Sequence, residues 1–198
     1  MQTKVVLFDL GGVLIELSGL PTMANWTRLS EPEIWQKWFS SPAVRRFESG
    51  RGSAEQFADE LVRELQIDAS AAEFLQHFTS WPRGVFAGGI ELLEQLREHL
   101  TIACLSNTNH LHWQRFKDET PLLELFHATL ASHQTGLMKP DPESFEHAID
   151  FLAEPAASIL FLDDNQINID AARRAGMRAE LTRGVAEALA HVKQHQLI

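Results

Sequence analysis

The sequence predicts an α/β fold, a mostly parallel sheet covered by helices on both faces, with a helical insert early in the chain. Three observations predict it. The short apolar runs "KVVLFD", "TIACLSN", "ATLAS", "ASILFLDD" and "MRAELT" have the length and continuity of strands buried on both faces. Between them, apolar residues recur at spacings of three and four, as in Ile90, Leu92, Leu93, Leu96 and Leu100, or Phe145, Ala148, Ile149 and Leu152, which is one face of a helix. From about Leu17 to Gly84 the alternation stops: "EIWQKWF", "AEQFADELVREL" and "AAEFLQHF" read as helices, and no convincing strand separates them. The expected division is therefore a core of residues 1 to 16 and 85 to 198, with an insert over 17 to 84. Both ends of the insert must meet near the carboxyl end of the first strand, so a lid over the ligand-binding edge is the economical arrangement.

Composition sets the outer limits. The 198 residues, 44% hydrophobic and 22% charged, are enough for a filled core and lack the polarity of disordered chains. A formal net charge of -10 repels a nucleic-acid backbone, and no Lys/Arg run offers a local exception. An anionic small molecule is still acceptable where a metal ion or a few placed cations reverse the potential in one pocket. Cys104 is the single cysteine, which excludes an intramolecular disulfide and a multi-cysteine zinc site and suits a reducing compartment. With no signal-like or membrane-spanning stretch, the chain is expected to be cytoplasmic, a monomer or homodimer without membrane or nucleic-acid partners.

Four chain segments carry the chemistry. Asp9 closes the apolar run "VVLF" and precedes Gly11 and Gly12, which permit a turn at the sheet edge where ligands bind. In "CLSNTNH", Ser106 or Asn107 either caps the helix expected at His110 to Lys117 or helps form an anion-binding cup. "GLMKPDPESF" has Asp141 and Pro142 as a helix start, which leaves Lys139 without a structural duty. In "ILFLDDNQINIDAARRAGM", Asp163 and Asp164 end a strand side by side, an arrangement that repels unless a cation or a capping role offsets it. One of them can cap the next helix, but not both. Carboxylates without histidine or thiol partners make an oxygen-rich site suited to Mg²⁺, and Lys139 and Ser106 could hold the remaining oxygens of a phosphate.

In that order, "FDLGGVL", "LSNTN", "MKPDPESF" and "FLDDNQINIDAARRAGM" resemble the four motifs of the haloacid dehalogenase superfamily, over essentially the whole chain. The likeness is to its phosphatases with a Rossmann-like core and a small helical cap, and within them to bacterial sugar phosphatases acting on glucose 1-phosphate. It implies Asp9 as nucleophile forming an aspartyl-phosphate intermediate. Asp9, Asp164 and the Gly11 carbonyl would be the Mg²⁺ ligands, with Asp163 a direct or neighbouring group. Ser106 and Asn107 would contact the phosphate, and Lys139 would neutralise Asp9 and the transferred group. The implied substrate is a small phosphorylated metabolite.

The resemblance has a gap. Most such phosphatases carry a second Asp two residues after the nucleophile as general acid and base, and here that position is Gly11. A positioned acid or base contributes about 10²–10⁴ in rate. Glu16, His110 and His112 are the nearest substitutes in sequence. Alternatively, the substrate needs less help, because an anomeric oxygen leaves more readily than an ordinary alcohol; that would suit a sugar 1-phosphate and make rates depend steeply on leaving-group acidity. A 2-haloacid dehalogenase, whose nucleophilic aspartate also lacks that second Asp, and a phosphometabolite-binding protein without turnover are the remaining readings. Elsewhere, Arg45, Arg46 and Arg51 in "RRFESGRG" receive no role. Histidines 110 and 112 project to different sides of a helix, against a zinc site, and the Trp and Phe residues of the insert, including Trp35, Trp38 and Phe39, are expected to pack its core.

Overall fold

The computed structural model describes residues 2 to 198, without the side chains of residues 20 to 22. Strands follow in chain order as β1 (Val5–Phe8), β2 (Ile15–Leu17), β3 (Pro82–Val85), β4 (Thr101–Ser106), β5 (Ala128–Ala131), β6 (Ile159–Asp163) and β7 (Arg178–Leu181). Five of them form one parallel sheet in the order β5-β4-β1-β6-β7, matching the five apolar runs. β1 is central. It is shut from solvent along its length, and its side chains alternate between two cores.

Val6 and Phe8 point to one face, with Ile102, Cys104, Leu160 and Leu162. Helices α6 (Gly89–Arg97), α7 (His110–Glu119), α8 (Leu122–Leu125) and α12 (Gly184–Gln194) cover that face, following α1 to α5 in the insert. Val5 and Leu7 point to the other, where α10 (Pro142–Leu152) and α11 (Gln166–Arg174) cover them through Phe145, Ala148, Ile169 and Ala172; α9 (Ser132–Thr135) follows β5 directly. Burial on both faces is why the inner strands β1, β4 and β6 read as nearly unbroken apolar runs, whereas the edge strand β7, Arg-Ala-Glu-Leu, alternates.

The insert holds α1 (Gly19–Ala24), α2 (Glu31–Ser40), α3 (Pro42–Glu48), α4 (Ala54–Glu64) and α5 (Ala71–Thr79) around a core of its own. Phe47, Phe57, Phe74 and Phe78 are at its centre, with Phe47 and Phe57 stacked at 4.4 Å between ring centroids. Ser30 and Ser70 each form a capping box with a glutamate three residues on, which fixes where α2 and α5 begin.

Three expectations need correction. The ends of the insert are joined by a strand pair, β2 with β3, antiparallel and shifted in register after Glu16. Pro82 and Gly84 hide β3, because both residues argue against a strand in sequence. Secondly, of the aromatic residues of α2 only Trp38 turns inward beside Ile34; Trp35 and Phe39 stack on each other outside, 5.1 Å apart, with Phe39 64% exposed. The spacing of four that joins Ile34 to Trp38 also joins Trp35 to Phe39 one position round the helix, off the buried stripe. Thirdly, the helix caps are Asn109 for α7 and Asn165 for α11, not Ser106, Asn107 or either late aspartate. Asp141 occupies the cap position of α10, but its carboxylate pairs with Arg45 of the insert instead.

No helix among the described residues is long and apolar enough to cross a membrane.

Candidate active site

Parallel pairing brings the strand ends into one row. Phe8 lies opposite Cys104 on one side and Leu162 on the other, so Asp9 emerges between the end of β4 and Asp163 at the end of β6. Its N–H donates to the Leu162 carbonyl at 2.8 Å, which carries the sheet one residue past β1. Gly12, at φ +74°, then turns the chain beneath Asp164, where a Cβ would stand 2.2 Å from Asp164 Oδ2. Only a glycine lets the loop pass so close.

Lys139 is the hub. Its Nζ lies 2.9 Å from Asp9 Oδ1 and 2.7 Å from Asp163 Oδ2, with the lysine side chain 1% exposed. Its backbone is clamped by the Asn107 side chain, which donates to the Lys139 carbonyl at 2.8 Å and accepts from the Lys139 N–H at 2.9 Å. The Asn107 amide is therefore committed to placing the lysine, and Ser106, buried beside it, ends β4 one residue earlier. Asp163 also accepts from Asn165 N–H at 2.8 Å and from Asn168 Nδ2 at 3.0 and 3.1 Å, so both its oxygens are partnered.

The site is short of positive charge. Among the described residues, Asp9, Asp163 and Asp164 can each present a carboxylate oxygen within 4.8 Å of the other two, opposed by the Lys139 ammonium and, near Asp164, by the Arg183 guanidinium. Burial pushes the Asp9 carboxyl up to about 7; Lys139 counteracts this, and the charges of Asp163 and Asp164 add to it. Asp164, the most exposed of the three, is pushed to about 6 by desolvation and then by Asp163. For Lys139, burial alone would depress the ammonium, but the facing Asp163 and Asp9 carboxylates outweigh it and raise its pKa. An all-oxygen set with excess negative charge fits a hard divalent cation, and the absence of histidine or cysteine from it disfavours softer metals.

Of the substitutes for the missing carboxylate, His112 is spent elsewhere. Its Nε2 lies 2.7 Å from the Phe78 carbonyl and its Nδ1 3.2 Å from Asn109 Nδ2, and burial pushes its pKa down to about 4. It ties α7 to the end of α5. His110 is exposed, with its ring 5.2 Å from that of Phe47, and Glu16 is exposed on β2.

The structure adds residues that the sequence reading passed over. Glu48, the last residue of α3, has a carboxyl pushed to about 7 by burial and by the charge of Asp9, with Lys139 opposing. A signal was present: an acidic residue at a helix C-terminus faces the negative end of the dipole and needs a reason to be there. Ser132 Oγ accepts from Thr108 N–H at 2.9 Å and lies 2.6 Å from the Glu48 carbonyl, to which it donates. Asn168 is the other omission, five residues after the aspartate it holds.

A family model for haloacid dehalogenase-like hydrolases matches residues 3–176 of this chain. A phosphatase of Mycobacterium tuberculosis is 28% identical over 197 residues, covering 91% of this chain and 88% of that protein. A D-ribitol-5-phosphate phosphatase of Bacteroides thetaiotaomicron is 26% identical, covering 87% and 88%. Among solved structures, a haloacid dehalogenase family enzyme from Bacteroides thetaiotaomicron, crystallised with magnesium and inorganic phosphate, superposes with a TM-score of 0.77 at 26% identity, covering 96% of this chain and 98% of that one.

Proposed function

The chain belongs to the haloacid dehalogenase-like hydrolase family and is a phosphatase with Mg²⁺ as its cofactor; from that premise we propose that it hydrolyses the monoester of a small phosphorylated metabolite, a sugar phosphate such as a hexose 1-phosphate among them, through an aspartyl-phosphate on Asp9. The observation that carries the reading is the buried Lys139 ammonium held between Asp9 and Asp163 beside a third carboxylate. Asp9, Asp164 and the Gly11 carbonyl would hold the metal, with Asp163 adjacent and aiming Lys139. When bound, the metal offsets the charge of the phosphate and of the carboxylates around it.

The side chains then divide the work. Asp9 attacks phosphorus in line with the ester oxygen, which departs, and water later cleaves the acyl phosphate to return Asp9 and free phosphate. Lys139 offsets the charge spread over the transferring group. Ser106 and the backbone N–H of Asn107 would take phosphate oxygens, because the Asn107 side chain is engaged with Lys139. Residues 17 to 84 act as the cap, closing over this edge and excluding water.

Phosphate release from a panel of metabolite monoesters, with and without Mg²⁺, tests the proposal. Wild type should turn over at least one ester in a metal-dependent way, and Asp9→Asn should bind it without turnover. Chloride release from a 2-haloacid that needs no Mg²⁺ would instead establish the dehalogenase. Phosphoester binding without turnover by wild type would establish the binding protein.

A further inference from the structure

We propose that Glu48, delivered by the cap, supplies the acid and base chemistry that Gly11 cannot. The inference rests on the phosphatase reading above. The reaction needs a proton donor for the departing alkoxide, and the strand-end loop that would ordinarily carry one has no side chain at position 11. Asp163 is committed through both oxygens, and Asp9 and Asp164 are the nucleophile and a metal ligand in that reading. His112 is locked to Phe78 and Asn109.

Glu48 lies within electrostatic reach of Asp9 and Lys139, and its backbone is pinned beside the site. Its carbonyl takes the Ser132 hydroxyl, which itself receives the Thr108 N–H, one residue past the Asn107 that clamps Lys139. Two residues on, Gly50 at φ +72° lies so close to the core that a Cβ would stand 2.2 Å from the His133 carbonyl. Arg45, one turn earlier on α3, pairs with Asp141, two residues past Lys139. Contacts on three sides thus fix the end of α3 over the carboxyl edge of the sheet. From that position the Glu48 carboxyl feels both the Asp9 carboxylate and the Lys139 ammonium. Its raised pKa suits a group that must carry a proton near neutrality.

The proton bookkeeping closes. As Asp9 attacks, the bond from phosphorus to the ester oxygen breaks and the Glu48 proton passes to that oxygen, releasing the alcohol and leaving a Glu48 carboxylate. Water then attacks the phosphorus of the aspartyl-phosphate, its proton returns to Glu48, and the bond to Asp9 breaks to free phosphate. Because the cap carries the donor, the acid is assembled only while α3 is docked.

Two esters and one variant test this: p-nitrophenyl phosphate, whose leaving group needs no proton, and glycerol 2-phosphate, whose alkoxide does. In Glu48→Gln, turnover of glycerol 2-phosphate should fall by about 10²–10⁴. With p-nitrophenyl phosphate the variant should release one nitrophenolate per chain at a rate within about tenfold of wild type, then turn over slowly for want of the base. Equal slowing of the burst and of the glycerol ester, or no slowing of either, overturns the role. Should Glu48→Gln fail to fold, wild type alone decides: phosphorylation rates across esters of graded leaving-group acidity should vary shallowly, and a steep dependence overturns the proposal. A wild type inactive on both esters and on the metabolite panel would overturn the phosphatase reading itself, whereas activity on both esters with an unaffected variant overturns only Glu48.

Discussion

Lys139 Nζ and Asp163 Oδ2 are 2.7 Å apart, with the two side chains 1% and 0% exposed. Breaking a buried pair by removing one partner leaves a charge without compensation, at a cost of about 3–5 kcal/mol. Lys139→Met should therefore unfold at lower denaturant concentration than wild type and lose turnover together with phosphate binding. The penalty should shrink at pH 5, where Asp9, already raised to about 7 with the lysine present, is protonated in the variant. Urea unfolding at pH 5 and pH 8 checks this; an equal penalty at both would show that the lysine stabilises by packing alone.

The carboxylate cluster sets a pH dependence for the metal. Asp9 at about 7 and Asp164 at about 6 lie above their unfolded values, so their contribution to metal-free stability is present at low pH and lost as pH rises through 6 to 7. Mg²⁺ must displace those protons, so it should raise the melting temperature more at pH 8 than at pH 5.5. A thermal shift that is the same at both values would remove Asp9 and Asp164 from the metal site.

Neutral His112 joins the helical insert to the sheet-bearing part of the chain through Phe78. Its pKa of about 4 lies below the unfolded value near 6.5, so the unfolded chain binds the proton first and stability falls as pH drops from 6.5 towards 4. The displacement corresponds to about 3 kcal/mol at its full extent. His112→Gln should be less stable than wild type at pH 7, with the gap narrowing by about 2 kcal/mol or more at pH 4.5. Guanidinium titrations of both proteins at the two pH values give the answer, and a constant gap would contradict it.

Adjacent glycines should respond oppositely to a side chain. Gly12→Ala places a methyl against Asp164 Oδ2 in a left-handed backbone conformation, and it should weaken Mg²⁺ binding at least about tenfold by calorimetry. Gly11→Asp meets only Leu17 Cδ1 at 2.8 Å, the end of a side chain 52% exposed and able to swing away. That substitution should fold normally and restore part of the glycerol 2-phosphate turnover lost in Glu48→Gln. Normal metal binding by Gly12→Ala would mean that Asp164 is not a ligand.

The sheet was legible because burial on both faces writes itself into composition: "VVLF", "IACL" and "ILFL" are apolar at every position, and the polar residues that follow them stand out. Lys139 was legible as a lysine without a structural duty, and the insert as a break in rhythm. β2 and β3 were not, since a pair of three and four residues containing Pro82 and Gly84 forms only because the insert returns to the core there. Nor were the cap positions at Asn109 and Asn165, where several polar residues compete for one helix start and backbone geometry decides.

By itself the sequence determined which strands form the parallel sheet and which polar groups end them, because strand burial and strand-end chemistry are properties of short contiguous segments. Tertiary structure alone decided that the Asn107 side chain serves Lys139 rather than a ligand, that Asp163 is saturated by Asn165, Asn168 and Lys139, and that Glu48 comes within electrostatic reach of Asp9. Those relationships join residues up to about forty positions apart in the chain, and no local pattern of hydrophobicity records which distant partner a polar group meets once the chain has folded.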